Sequence, residues 1–244
     1  MENKILAFNS LLFLCIIVSF LIYKNAYVKG KLTCNNYILN SYLYILLSIL
    51  VVSSMVILVD KNVASLKIFF NFWVMLLLSF GFLFLTLFTD PRSTLLKHGA
   101  WVALMFFFGI SMWPIYKITK ATNTFQSTLA TTFSLVSILT AIAFYNPDMI
   151  SLKMGPILLV GLISGILLSI FTRLLAKRKT FLSVDYYLSY IFVFLFSLFV
   201  LYDTKKLQMN AKKCVVPDYV NESLNIFLDI MNLFSRLGNI NSRK

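Results

Sequence analysis

Charged residues are scarce in this sequence, and no polar stretch is long enough to form a soluble domain. Only 13% of the 244 residues are charged, 59% are hydrophobic, and the mean hydropathy is +0.85. A water-soluble fold of this size cannot hide so much apolar surface. The apolar runs are continuous and lack the period-two alternation of a membrane β-barrel. The composition therefore predicts an all-α, polytopic membrane protein whose first partner is the lipid bilayer.

Histidine and paired cysteine motifs are also scarce. The sequence has one histidine, His98, and its three cysteines (Cys15, Cys34 and Cys214) show neither a CxxC motif nor the spacing of zinc ligands. These absences remove most histidine-based catalytic schemes and metal sites, so we expect neither an enzyme nor a bound cofactor. The net charge of +13 comes mostly from Lys and Arg between the apolar runs. This pattern is typical of loops at lipid headgroups, and we expect no nucleic-acid partner.

Eight apolar segments approach the roughly 20 residues that a helix needs to cross a bilayer. They are Ile5–Tyr23, Tyr37–Val59, Ile68–Thr89, Gly99–Lys117, Thr124–Tyr145, Met154–Ala176, Val184–Tyr202 and Tyr219–Leu237. The first could be a signal peptide, but it is long and no A-x-A cleavage site follows it, which favours a retained helix. The loops are short and polar, so we expect one compact bundle.

The distribution of positive charge does not settle the orientation in the membrane. If the segments cross alternately, one side carries ten Lys and Arg residues and the other carries twelve. The ten are Lys24, Lys29, Lys31, Arg92, Lys97, Lys153, Lys205, Lys206, Lys212 and Lys213; the twelve include Lys117, Lys120 and the run from Arg173 to Lys179. This difference is too small for the positive-inside rule to decide.

Two aspartates in the last two segments are the most informative residues. Asp203 follows the apolar run at Val184–Tyr202, and Asp229 lies near the middle of Tyr219–Leu237. An ionised carboxylate at the centre of a bilayer costs about 2.5–3.5 kcal/mol on insertion scales, so it usually faces a protein interior and marks a functional site.

Asp229 belongs to a polar stripe. Glu222, Asn225, Asp229, Asn232 and Arg236 follow one another at helical spacings of three and four residues, which place them on one face. Lipid cannot satisfy such a face, so it must line the bundle or a water-filled cavity. We therefore interpret Glu222, Asn225 and Asn232 as candidate lining residues.

If the two aspartates approach each other, they should not both ionise easily, and they can share a proton. A nearby arginine would instead hold one carboxylate charged. Either arrangement makes a pH-sensitive latch between two helices. Two carboxylates at a constriction are also oxygen ligands suited to a transient Ca²⁺ ion.

The residues around both aspartates resemble the Bax inhibitor family, also called the transmembrane Bax inhibitor motif family. The resemblance rests on LFVLYDTKKL at Leu198–Leu207 and LNIFLDIMNLFSRLG at Leu224–Gly238. Weaker matches are FFFGISMWPI at Phe106–Ile115 and the segment Thr128–Leu152. The match covers residues 32–238.

The resemblance implies a seven-helix bundle over residues 32–238, in which the last helix is surrounded by the other six. Residues 1–31 would add an N-terminal hydrophobic helix and loop, and residues 239–244 a polar tail. It further implies a pH sensor formed by Asp203 and Asp229, with Arg92 as the nearest candidate for an ion-pair partner of Asp203. The implied activity is a passive Ca²⁺ leak across an endoplasmic reticulum or Golgi membrane, associated with suppression of cell death.

Two other functions remain open from the sequence. The chain could be a non-conducting membrane regulator that binds cell-death proteins, with the aspartates only fixing the fold. Tyr202-Asp203 also resembles half of the active site of an intramembrane aspartyl protease. The matching GxGD motif is absent, since Ile226, Phe227 and Leu228 precede Asp229.

Overall fold

A computed structural model describes residues 2–61 and 71–243, and these residues are almost entirely helical. The helices are α1 (Glu2–Ala26), α2 (Tyr37–Lys61), α3 (Phe72–Phe88), α4 (Thr94–Ala121), α5 (Phe125–Tyr145), α6 (Gly155–Leu175), α7 (Arg178–Lys212) and α8 (Tyr219–Asn241). Two short 3-10 turns, Pro147–Met149 and Leu152–Met154, connect α5 to α6. The predicted all-α membrane bundle is confirmed.

The apolar runs predict the helices well but not all of their ends. Helix α7 begins six residues before the predicted Val184 and continues past the end of the apolar run to Lys212. Asp203 therefore lies inside a helix and not at its end, because the residues that follow it have good helix propensity. The predicted start of the third segment, Ile68, lies outside the described residues.

Six of the described helices are long and apolar enough to cross a membrane: α1, α2, α4, α5, α6 and α7. Helix α3 is apolar but shorter, and α8 is not among the six because its polar stripe lowers its hydropathy. Two helices end close to the predicted segment ends, since α3 ends at Phe88, before the turn at Asp90 to Ser93, and α5 ends at Tyr145, just before Pro147.

The residues fall into two compact units. The first comprises Met1–Pro114 and Asn210–Phe227, and the second comprises Ile115–Met209 and Leu228–Lys244. Helices α4, α7 and α8 each contribute residues to both units. The division of the chain into an N-terminal helix and loop (1–31), a bundle (32–238) and a polar tail (239–244) stays a prediction.

The core of the first unit is built from α2, α4 and the beginning of α8. Tyr44 of α2, Leu104 of α4 and Leu224 of α8 are all buried. A cluster of Val59, Phe107 and Ile110 packs against Met75, Leu78, Phe82, Phe106 and Trp113, and so joins α3 to this core. Helix α1 adds Val18, Ile22 and Ala26, which are buried, while most of its other side chains are exposed.

A β-hairpin and a disulfide also stabilise the first unit. The two-residue strands β1 (Tyr27–Val28) and β2 (Lys31–Leu32) form a hairpin after α1. Its turn needs positive φ at Lys29 and Gly30, a conformation that glycine adopts without strain. A disulfide then joins Cys34 to Cys214 across 180 residues of sequence, with their Cα atoms 6.0 Å apart.

The second unit contains α5, α6, most of α7 and the end of α8. The GxxxG motif of α6 packs against α7: a Cβ added at Gly165 would lie 2.6 Å from the ring of Phe192, and one at Gly161 would lie 3.4 Å from Leu195. Such a close approach of two helices is typical of this motif. Elsewhere α6 is open, since Leu158 is its one buried residue. Its many exposed apolar side chains suit a lipid environment.

Helix α8 is far more buried than α6, because none of its residues is exposed. Leu224, Ile226, Phe227 and Leu233 are completely buried, and the polar residues of the stripe are buried or half-buried. The polar stripe therefore faces protein, as the sequence predicts.

We expect Gly109→Ala to lower the free energy of unfolding by about 1–3 kcal/mol, the usual cost of overpacking. A Cβ at Gly109 would lie 2.4 Å from Cβ of Met55 and 3.4 Å from its carbonyl carbon, so α2 and α4 would have to separate. Thermal unfolding of the purified chain in detergent measures the effect.

Gly81→Ala in α3 is the matched control, because no atom lies within 4 Å of its added Cβ. We expect this variant to be as stable as the parent or slightly more stable, since alanine favours a helix by up to about 1 kcal/mol over glycine. Equal unfolding temperatures for the two variants would contradict a tight contact between α2 and α4.

Candidate functional site

The two aspartates singled out by the sequence meet in the second unit. Asp203 projects from α7 and Asp229 from α8, and their carboxyl groups lie close enough to interact directly. The contact is possible because α7 remains helical past Asp203. Among the sequence-predicted site residues, these are the two that the structure brings together.

Asp229 is deeply buried, with 4% of its surface exposed. Its Oδ2 atom has no hydrogen-bond partner among the described residues. Thr204, next to Asp203, is completely buried, and its hydroxyl oxygen also has no partner there. A buried acceptor without a partner carries a desolvation cost of about 1–3 kcal/mol, so this part of the site is not optimised for stability.

Two carboxyl groups in contact have a specific chemistry. They repel each other when both are ionised, and one proton between them converts the repulsion into a charge-assisted hydrogen bond. The affinity of such a pair for a proton depends on the distance between its two carboxyl groups. Conversely, protonation changes the distance that the two helices prefer.

The segment of α7 around Asp203 is held by contacts with the connection between α5 and α6. Lys205 Nζ donates hydrogen bonds to the carbonyl oxygens of Pro147 and Ile150, at 2.5 and 2.6 Å. Gln208 donates to the carbonyl of Ala143 at 3.0 Å. Tyr202 packs against Gly155, where a Cβ would lie 2.6 Å from the tyrosine oxygen. These contacts orient Asp203 without involving its carboxyl group.

An ionic cluster joins α7 to α8 at a second place. Asp185 accepts hydrogen bonds from Arg236 at 3.1 Å and from Asn239 at 2.7 Å, and Arg243 lies 3.7 Å from it. The guanidinium of Arg236 also lies 4.3 Å from the ring centroid of Phe192. Asp185 precedes Asp203 by 18 residues of the same helix, which is about 27 Å along the axis. Helix α8 is therefore anchored to α7 at Arg236 and contacts it again at Asp229, where the two aspartates meet.

The other residues of the polar stripe have different surroundings. Glu222 lies in the first unit, where it accepts a hydrogen bond from Asn210 at 2.7 Å and contacts the hydroxyl of Tyr37. Asn232 donates to the carbonyl of Leu228 in its own helix at 2.8 Å, and Asn225 is half-buried. Their role as lining residues stays a prediction.

Arg92 lies in the turn between α3 and α4, in the first unit. Its backbone N–H donates to Asp90 Oδ1 at 2.7 Å, and its side chain is exposed. Asp203 belongs to the second unit, so the ion pair between Arg92 and Asp203 also stays a prediction.

The described residues contain no group of three or more His, Cys, Asp or Glu side chains placed to hold a metal ion. A resident Ca²⁺ ion takes six to eight oxygen ligands, far more than one carboxyl pair supplies.

Sequence reasoning missed the ionic cluster around Asp185. Arg236 was assigned to the polar stripe, but its partner was not recognised. The available signal was Asp185 itself, an acidic residue at the beginning of the apolar run that ends at Tyr202.

The comparison with protein families agrees with the site. The family model described as "Inhibitor of apoptosis-promoting Bax1" matches residues 34–243, which include the two aspartates and seven of the eight helices described here. No curated protein matches the chain significantly. The chain is a multi-pass integral membrane protein that belongs to the Bax inhibitor family, a family linked to the inhibition of apoptosis.

Proposed function

We propose that this protein is a pH-sensitive calcium leak channel of an intracellular membrane, in the endoplasmic reticulum or Golgi, and that the leak contributes to the inhibition of apoptosis. The observation that carries the proposal is the contact between the carboxyl groups of Asp203 and Asp229. Neither carboxyl is assigned a catalytic role, and the proposal needs no cofactor.

The pH response follows from the contact between α7 and α8. Protonation allows the two carboxyl groups to stay together, whereas loss of the shared proton leaves two adjacent negative charges that repel. Because α8 has no exposed residue, it cannot shift at Asp229 without changing the packing around it. The cluster at Asp185 keeps α8 attached while this part moves.

The same two carboxyl groups support Ca²⁺ as the permeant ion. Ca²⁺ prefers carboxylate and carbonyl oxygens, and two carboxylates released from each other offer a transient ligand pair. Glu222, Asn225 and Asn232 would line the path at other levels of α8, and Arg92 would pair with Asp203 when the two carboxyl groups separate. Membrane proteins that regulate cell death are the proposed protein partners.

We expect the Ca²⁺ flux of the parent chain in dye-loaded proteoliposomes to change with pH between about pH 6 and pH 8. One titrating pair can change the flux by up to about tenfold per pH unit. In the double variant Asp203→Asn/Asp229→Asn the dependence should be lost, because neither amide titrates in this range.

The outcome that would contradict the proposal is a flux that is absent, or independent of pH, in well-folded parent protein. An absent flux would favour the non-conducting regulator that acts through cell-death proteins. In that case Asp229→Asn should lower the yield of folded protein and leave no ion flux to lose.

The variant Asp185→Asn tests the anchoring of α8 to α7 separately from the proposed proton sensor. It removes the charge that Arg236 and Arg243 share but leaves the pair of Asp203 and Asp229 intact. Because these side chains are about a quarter exposed, we expect the free energy of unfolding to fall by only about 1–2 kcal/mol. Thermal unfolding measures this loss, and the pH dependence of the flux should persist. A flux that no longer responds to pH in this variant would argue against Asp203 and Asp229 as the sensor.

A further inference from the structure

The disulfide between Cys34 and Cys214 joins two loops at the same end of the first unit. Cys34 lies between the hairpin and α2, and Cys214 lies between α7 and α8. The bond therefore fastens the beginning of α8 to the beginning of α2. We call the surface around it the clasp face, formed by residues 27–36, 89–93 and 213–218.

Independent contacts place the same segments together without the disulfide. Tyr219 at the start of α8 donates its hydroxyl to the carbonyl of Thr33. Lys97 in the first turns of α4 is 1% exposed, and its Nζ lies 2.8 Å from Asp218 and 3.0 Å from the carbonyl of Thr89. Since a buried lysine is costly without such partners, these bonds support a fixed arrangement of all three segments.

Several helices begin or end at the clasp face. Helices α2, α4 and α8 begin there and α3 ends there. Helix α4 runs for 28 residues, about 42 Å, which is more than the hydrocarbon core of a bilayer. We therefore expect α4 to cross the membrane, so that the turn at Thr122 to Thr124, which follows it in the chain, is reached from the opposite side.

A disulfide also reports on the compartment. Thiols stay reduced in the cytosol, whereas structural disulfides form and persist in the endoplasmic reticulum lumen, outside the cell or in the periplasm. We propose that the clasp face lies on the non-cytosolic side of the membrane, where Cys34 and Cys214 are oxidised. The turn at Thr122 to Thr124 is then cytosolic.

The bond forms by thiol–disulfide exchange. Two thiols of this chain lose two electrons and two protons to the disulfide of an oxidoreductase in that compartment, which becomes a dithiol. Cys15, the free cysteine among the described residues, lies within α1 and takes no part.

The positive charges are compatible with this orientation but could not have revealed it. The side with twelve Lys and Arg residues becomes cytosolic and the side with ten becomes non-cytosolic, which is the direction that the positive-inside rule favours. A difference of two charges is too small to decide alone, and the disulfide supplies the missing information.

The glycosylation sequon Asn221-Glu222-Ser223 follows the clasp face, and we expect it to stay unmodified because the asparagine amide is bonded within the fold. Asn221 donates its side-chain N–H to the carbonyl of Leu87 at 2.9 Å, within the fold. An absent glycan at Asn221 is therefore no argument for a cytosolic position.

Differential alkylation of the full-length chain in cell membranes tests the bond. Free thiols are first blocked with N-ethylmaleimide under denaturing conditions, then disulfides are reduced and the new thiols are labelled with a polyethylene glycol maleimide. We expect two additions in the parent and in the control Cys15→Ser, and none in Cys34→Ser, where Cys214 is left free and blocked. A parent chain that takes no label would overturn the proposal.

Protease sites inserted into two turns test the orientation. One insertion is placed between Lys29 and Gly30 of the hairpin, and the other between Thr122 and Asn123. In sealed vesicles with the cytosolic side outward, the second site should be cut and the first should be cut only after detergent is added. Cleavage of the hairpin site in sealed vesicles, or protection of the other site, would overturn the assignment.

Discussion

The burial of one carboxyl group against another is the constraint on which the candidate site depends. Asp229 is in a helix without exposed residues, and Asp203 is its acidic neighbour on α7. A hydrophobic pair at these positions would stabilise the contact without a proton. Two carboxyl groups instead make a contact that a shared proton strengthens, because two adjacent negative charges repel each other. The distant cluster at Asp185 has the opposite character, because its opposite charges attract each other and need no shared proton.

The fold could largely be predicted because membrane helices have a local signal. Apolar runs predicted every α-helix in the described residues, and the runs that end at Thr89 and Tyr145 stop within one residue of the ends of α3 and α5. The end of α7 was not predictable from hydropathy, since the helix leaves the apolar run and continues through Asp203, Lys205 and Gln208. Polar residues at the boundary of a membrane can continue a helix as readily as end it, so hydropathy and helix propensity diverge there.

The candidate site could be predicted in its residues but only partly in its contacts. The cost of an aspartate in an apolar helix identified Asp203 and Asp229 from composition alone. The hairpin turn, the partners of Asp185 and the pairing of Cys34 with Cys214 had no comparable signal. Each depends on residues that are distant in sequence or on a backbone conformation. A polar stripe indicates that a helix face is covered, but not which side chain covers it: Glu222 contacts Asn210 and Tyr37, while Arg236 contacts Asp185.

The span of the disulfide has a consequence for biogenesis. Between Cys34 and Cys214 the chain passes through α2 to α7, so the two sulfur atoms reach the same compartment only if these segments are threaded an even number of times through the bilayer. A chain that skipped one crossing would leave its thiols on opposite sides of a lipid barrier, where no oxidant could join them. Oxidation also has to wait until Cys214 has left the ribosome, 180 residues after Cys34. With the proposed orientation, every oxidised molecule has Cys34 and Cys214 on one side of the membrane, so the oxidised fraction of a preparation excludes the molecules that skipped a single crossing.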